Sequence, residues 1–148
     1  MSTRNQEIVK FSDLDSDIQE LIRTAVAYRQ KAHCPYSNFQ VGAALKCDDD
    51  SVFGGCNVEN IAYGCTICAE RTAIVKAVSE GKKVFKHFAI TGDVTDGFIS
   101  PCGSCRQVIV EFGTDVKVYL AKPDFSDVLV TDMDTILPLP FVPTSIPE

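Results

Sequence analysis

The stretch Gly64-Cys65-Thr66-Ile67-Cys68-Ala69-Glu70-Arg71 (GCTICAER) holds one Cys-x-x-Cys pair, and Pro101 to Cys105 (PCGSC) holds a second. Four cysteines close a structural zinc site, whereas three leave a coordination position at which a water can be activated. Spacing alone favours the closed site built from Cys65, Cys68, Cys102 and Cys105. Glu70 weighs against it. A carboxylate two residues after Cys68 adds negative charge to a centre already in excess, and a structural site gains nothing from that. A catalytic site does gain, because a carboxylate beside an activated water can take and return its proton. Arg71, next in line, can offset the thiolate charge and hydrogen-bond a ligand sulfur.

Both motifs fall at the starts of expected helices, about Thr66 to Glu80 and about Gly103 to Phe112. Cys68 belongs to the first turn of the former, and Cys102 and Cys105 to the start of the latter. A helix N-terminus stabilises the thiolate that a metal requires, through its unpaired N–H groups and positive dipole end. In the first of these helices Ala73, Ile74, Ala77 and Val78 point inward, and Gly81 caps the end.

Working outward, an earlier helix from Ser12 or Asp13 uses Ser12-x-x-Asp15 as capping chemistry. It sets Leu14, Ile18, Leu21, Ile22, Ala25 and Val26 on one face and stops before HCPYSN. FQVGAALKC (Phe39 to Cys47) and SVFGGCNV (Ser51 to Val58), joined by Asp48-Asp49-Asp50, predict an antiparallel hairpin. Further strands are expected at Phe85 to Thr91, Val116 to Ala121 and Asp127 to Thr131. The order α-β-β-α-β-α-β-β, with right-handed crossovers, predicts an α/β fold with a mixed five-stranded sheet flanked by helices. The tail carrying Pro138, Pro140, Pro143 and Pro147 takes no regular structure.

A chain of 148 residues is expected to be one domain with a full core, and 45% hydrophobic with 23% charged residues is ordinary globular composition. The net charge of −6 argues against a nucleic-acid partner. The basic cluster Lys82, Lys83 and Lys86 reads as a solvated helix end. MSTRNQEIVK at the start is polar with no apolar signal segment, and no run has the length to span a bilayer, so no membrane partner and a cytoplasmic location are expected. Thiols stay reduced there, so seven cysteines point to metal or catalytic use and not to disulfides. His33 and His87 lack ligand spacing to the cysteines and read as structural.

Cys68-Ala69-Glu70 followed by PCGSC has the form of the zinc deaminase signature, in which Glu is the acid/base and the first ligand is His or Cys. PYSNFQVGAAL (Pro35 to Leu45), NVEN (Asn57 to Asn60), CAERTAIVKAVSEG (Cys68 to Gly81) and ISPCGSCRQVIVEFG (Ile99 to Gly113) extend the match. Over almost its whole length the chain resembles the small homotetrameric cytidine deaminases that act on free nucleosides. That resemblance implies the family's three-layer fold and one zinc per chain on Cys68, Cys102 and Cys105, with Cys65 left out. It further implies Glu70 as proton shuttle, Arg71 beside the ligands, Phe39 stacked on the pyrimidine, and Asn57 and Glu59 on the ribose 3′-hydroxyl. The backbone at Ala69 would read the base edge, Phe141 would cover a neighbouring subunit's site, and Tyr36 and Tyr63 would lie near subunit contacts. The implied reaction is hydrolytic deamination of free cytidine and deoxycytidine in pyrimidine salvage. Water attacks C4 while Glu70 delivers protons to N3 and then to the departing amino group. Rival readings are a deaminase for another amino-heterocycle, a polynucleotide editor, and a non-enzymatic four-cysteine zinc module. The editor calls for a basic groove, and the zinc module for Cys65 as a ligand.

Overall fold

The computed structural model describes residues 4–142. In chain order the strands are β1 (Glu7–Lys10), β2 (Val41–Cys47), β3 (Val52–Cys56), β4 (Phe85–Gly92), β5 (Lys117–Ala121) and β6 (Asp127–Asp132). The helices are α1 (Ser16–Arg29), α2 (Ala69–Ser79), α3 (Gly103–Val110) and the short α4 (Met133–Ile136). The strands form one mixed sheet in the order β1-β6-β5-β4-β2-β3. Strand β2 is antiparallel to both β3 and β4, β4 is parallel to β5, and β6 is antiparallel to β5 and β1. The hairpin is as expected, and α2 and α3 are the crossovers from β3 to β4 and from β4 to β5.

The two faces of the sheet follow from the period-two alternation of a strand. Val41, Ala43, Leu45, Phe88, Ile90, Val118 and Leu120 face α2 and α3, where Ala73, Ile74, Ala77, Ile109 and Val110 complete the core. Ala44, Ala89, Tyr119 and Ala121 face the other way, onto Ile18, Leu21, Ile22 and Ala25 of α1. Helix, sheet and helices therefore make three layers. Small residues set the spacing. A Cβ built on Gly42 would land on the carbonyl oxygen of Ala25, so α1 rests directly on the β2 backbone. A Cβ on Gly55 would lie 2.6 Å from both the Ala69 carbonyl oxygen and the Ala73 nitrogen, so the first turn of α2 sits just as closely on β3.

The sheet has six strands, not the expected five. Strand β1 is a four-residue edge with a largely exposed pattern, and it exists because Glu7 to Lys10 pair with Val130 to Asp127 far along the chain. The first helix begins at Ser16, not at Ser12. Phe11–Asp13 instead forms a 3₁₀ turn that buries Phe11 against Phe125, ring centroids 5.1 Å apart, beneath the Arg23 guanidinium. Leu14 is then extended, and Asp15 precedes the helix without a side-chain cap bond. Helix α2 starts three residues later than expected, with Cys68 as its extended N-cap. Gly81 takes the left-handed φ of +82° expected of a residue that ends a helix. Helix α4 was not expected; Asp132 caps it by accepting from the Thr135 nitrogen. Pro138 and Pro140 follow it outside helix and strand, and Pro143 and Pro147 lie outside the described residues. Among the described residues, no helix is long and apolar enough to cross a membrane.

Candidate active site

Strands β3 and β4 are parallel to each other, so the helices that follow them begin at the same end of the sheet. Cys68 and Cys102 are the N-caps of α2 and α3, and Cys105 lies in the first turn of α3. Their three sulfurs lie within 4.8 Å of one another, with Cys68 Sγ 3.9 Å from Cys102 Sγ. Thiolates about 2.3 Å from a tetrahedral zinc stand about 3.8 Å apart, so this donor set fits that ion. Cys65 is exposed in a separate 3₁₀ turn, Tyr63–Cys65, and is not part of the group.

Glu70, in the first turn of α2, is only 4% exposed. Burial pushes its carboxyl up to about 7, with the Cys68 sulfur adding to the rise and hydrogen bonds from its own N–H and from Cys105 opposing it. A hydrogen bond from Cys105 brings Cys68 down to about 5 against the effect of burial, and Arg71 assists. The same pairing, together with burial, pushes the Cys105 thiol up. Arg71 Nη2 donates to Cys68 Sγ at 3.3 Å, and these sulfurs hold the guanidinium in its charged form.

A cavity of about 290 Å³ opens on this cluster, lined by Phe39, Asn57, Glu59, Cys68, Ala69, Glu70 and Cys102. Ser37, Val41, Thr66, Ile99 and Ser100 complete the lining. A larger hollow of about 430 Å³ behind Ser100 is walled by residues such as Arg4, Phe98 and Ile136 and offers neither thiol nor carboxylate. Phe39 sits on a loop held by polar side chains from three places. Asn57 Oδ1 accepts from the Val41 nitrogen at 2.9 Å, and Asn57 Nδ2 donates to the Phe39 carbonyl at 2.8 Å. Glu59 Oε1 accepts from the nitrogens of Tyr36 and Ser37 at 3.1 and 3.2 Å. Asp93, paired with Arg29, accepts from the Gln40 nitrogen at 3.3 Å.

The structure thus brings together Cys68, Cys102, Cys105, Glu70, Arg71, Phe39, Asn57, Glu59 and Ala69. It does not bring Phe141 to the same cavity: that ring is 68% exposed, and its carbonyl accepts from Gln107 Nε2 at 2.7 Å. His33 and His87 stand away from the thiols, His33 bridging to Val58 and His87 beside the Tyr119 hydroxyl at 3.3 Å. Sequence reading missed Ser37, Thr66, Ile99 and Ser100. The last two directly precede PCGSC, and that adjacency was the available signal.

Two helix N-termini that focus three thiols on one point, with a buried carboxylate between them and a cavity in front, define a zinc-dependent hydrolytic deaminase. Residues 15–122 match the family model described as the cytidine and deoxycytidylate deaminase zinc-binding region. A Dictyostelium discoideum relative described as "Probable cytidine deaminase" is 54% identical over 110 residues, 74% of each chain. The cytidine deaminase of Sporosarcina psychrophila is 48% identical over 120 residues, covering 79% of this chain and 88% of its own. The crystal structure of cytidine deaminase from Burkholderia pseudomallei superposes with a TM-score of 0.78 at 47% identity, over 82% of this chain and 97% of that one. The chain belongs to the cytidine and deoxycytidylate deaminase family.

Proposed function

We propose that the protein is one catalytic domain that hydrolyses free cytidine and deoxycytidine to uridine and deoxyuridine, releasing ammonia, as a cytoplasmic enzyme of pyrimidine salvage. The observation that carries this reading is the buried Glu70 beside three convergent thiols at the floor of the cavity. Cys68, Cys102 and Cys105 would hold the zinc, which when bound would supply Lewis acidity to a water at neutral pH. Glu70 takes a proton from the water and gives it to N3, then takes the second proton from the hydroxyl left on C4 and gives it to the amino group, which departs as ammonia. Phe39 stacks on the pyrimidine, and the backbone at Ala69 reads the base edge. The Asn57 amide has both its oxygen and its nitrogen bonded to the Phe39 loop, so it contacts the ribose 3′-hydroxyl through its remaining N–H and lone pair, with Glu59 beside it.

A nucleoside is favoured over its 5′-phosphate. Among the described residues that line the cavity none is Lys or Arg, and its carboxylates are Glu59 and Glu70. A phosphate would enter with no partner and two like charges. In an ultraviolet assay of a zinc-loaded preparation, cytidine and deoxycytidine should be consumed. The kcat/KM for deoxycytidylate should be lower by about a hundredfold or more. Equal use of the nucleotide rejects the nucleoside reading.

The ligand set is tested by two alanine variants. Cys65→Ala should retain one zinc per chain and its fold, whereas Cys105→Ala should lose the metal. Loss of zinc from Cys65→Ala would favour the closed four-cysteine site. Exposed aromatic groups support a homotetramer with shared active sites: Phe141 lies on the surface, and Tyr36 and Tyr63 stand edge to face at 5.9 Å beside the cavity. Sedimentation of the active species should give a tetramer, and a fully active monomer contradicts the shared site.

A further inference from the structure

The loop from Asp93 to Cys102 joins β4 to α3 without regular structure, yet Ile99, Ser100 and Cys102 at its end form one wall of the cavity. Backbone hydrogen bonds do little for this wall. Pro101 has no N–H, and the hydrogen bonds that reach Ser100 and Pro101 from other described residues come from a single side chain, Arg106. Its Nε donates to the Pro101 carbonyl at 2.8 Å and its Nη2 to Ser100 Oγ at 2.8 Å, while Nη1 donates to the Ile136 carbonyl at 2.5 Å. Ile136 ends α4, which is anchored in the core by the fully buried Met133 and by its nitrogen on the Val116 carbonyl. Phe98 and Ile99 pack the loop against the core and Pro101 is buried, while one planar guanidinium ties its polar groups at Ser100 and Pro101 to a fixed point. Lysine, with a single nitrogen, cannot satisfy three acceptors in one plane on both sides.

We propose that Arg106 is a positioning residue that holds the Ser100–Cys102 wall, and with it the Cys102 sulfur, in register with Cys68 and Cys105. It does not touch the sulfurs; it meets the cavity lining only at Ser100 Oγ, and it acts through the chain segment that carries Cys102. Partners that orient metal ligands in this way alter metal affinity by about 10–100-fold. The inference rests on the assignment of Cys102 as a ligand, and the test separates the two.

Zinc release from the loaded protein to a coloured chelator is followed for the natural chain and for Arg106→Ala, Arg106→Lys, Cys102→Ala and Ile18→Val. Arg106→Ala should release zinc at least about tenfold faster. Arg106→Lys should not restore the natural rate, and millimolar methylguanidinium should slow release from Arg106→Ala. Ile18→Val perturbs the opposite layer, at α1, and should leave release unchanged even where it lowers the melting temperature. Retention of zinc by Cys102→Ala would remove the ligand assignment itself. Release from Arg106→Ala at the natural rate, while Cys102→Ala holds no zinc, would overturn the positioning role alone. A variant of Arg106→Ala that fails to fold leaves Arg106→Lys to decide: release at the natural rate there also overturns the role, and release about tenfold faster supports it.

Discussion

Glu70→Gln should keep its zinc and its fold and lose turnover by a factor of about 10²–10⁴. The amide has the carboxyl's size and can still hydrogen-bond, so the buried position stays filled. It cannot carry a proton between water and base. Burial raises the native carboxyl's pKa, which suits a group that must accept a proton from water and return one to the ring. Turnover, zinc content and far-ultraviolet circular dichroism measured on the same preparation decide the matter. A zinc-loaded, folded Glu70→Gln protein with near-normal turnover would remove Glu70 from the proton path.

Gly42→Ala should be the most destabilising single methyl added to this sheet, at about 3–5 kcal/mol. The new Cβ meets the Ala25 carbonyl oxygen, and the Arg29 nitrogen and Cα lie 2.6 and 2.9 Å away. All three are backbone atoms, so no rotamer change relieves the contact and α1 must lift from β2. That displacement opens the layer formed by Ile18, Leu21, Ile22, Ala44 and Ala89. Gly64→Ala is the matched control, because a Cβ there meets nothing within 4 Å. Its unfolding free energy from urea titration should stay within about 0.5 kcal/mol of the natural protein. A Gly42→Ala value equally close to natural would mean that α1 docks less tightly on the strand than the structure has it.

The chemistry was more legible in the sequence than the geometry that supports it. Spacing alone offered Cys65 as a fourth ligand; Glu70 and the deaminase signature pointed to Cys68, Cys102 and Cys105, and the parallel strands β3 and β4 bring the helix starts that carry them to one end of the sheet. Strand β1 could not be read, since Glu-Ile-Val-Lys carries no alternation and becomes a strand only through residues some 120 positions later. The misplaced start of α1 has a similar origin. Ser12-x-x-Asp15 is a sound local cap pattern, but the burial of Phe11 against Phe125 bends the chain into a 3₁₀ turn first. Asn57 and Glu59 read as polar groups for a sugar, while their bonds to residues 36–41 depend on how a turn folds back. Arg106 gave no signal at all, because its three acceptors lie in two segments that only the folded chain brings together.

The bracing of the Phe39 loop has an energetic meaning for whatever ring lies against it. An aromatic side chain on a free loop must be immobilised by each ligand it receives, and that ordering is subtracted from affinity every time. Here Asn57, Glu59 and Asp93 complete the ordering once, when the chain folds. The entropy is lost before any ligand arrives. A ring that docked there would keep more of its contact energy, and association would be closer to the docking of two rigid bodies than to mutual adjustment.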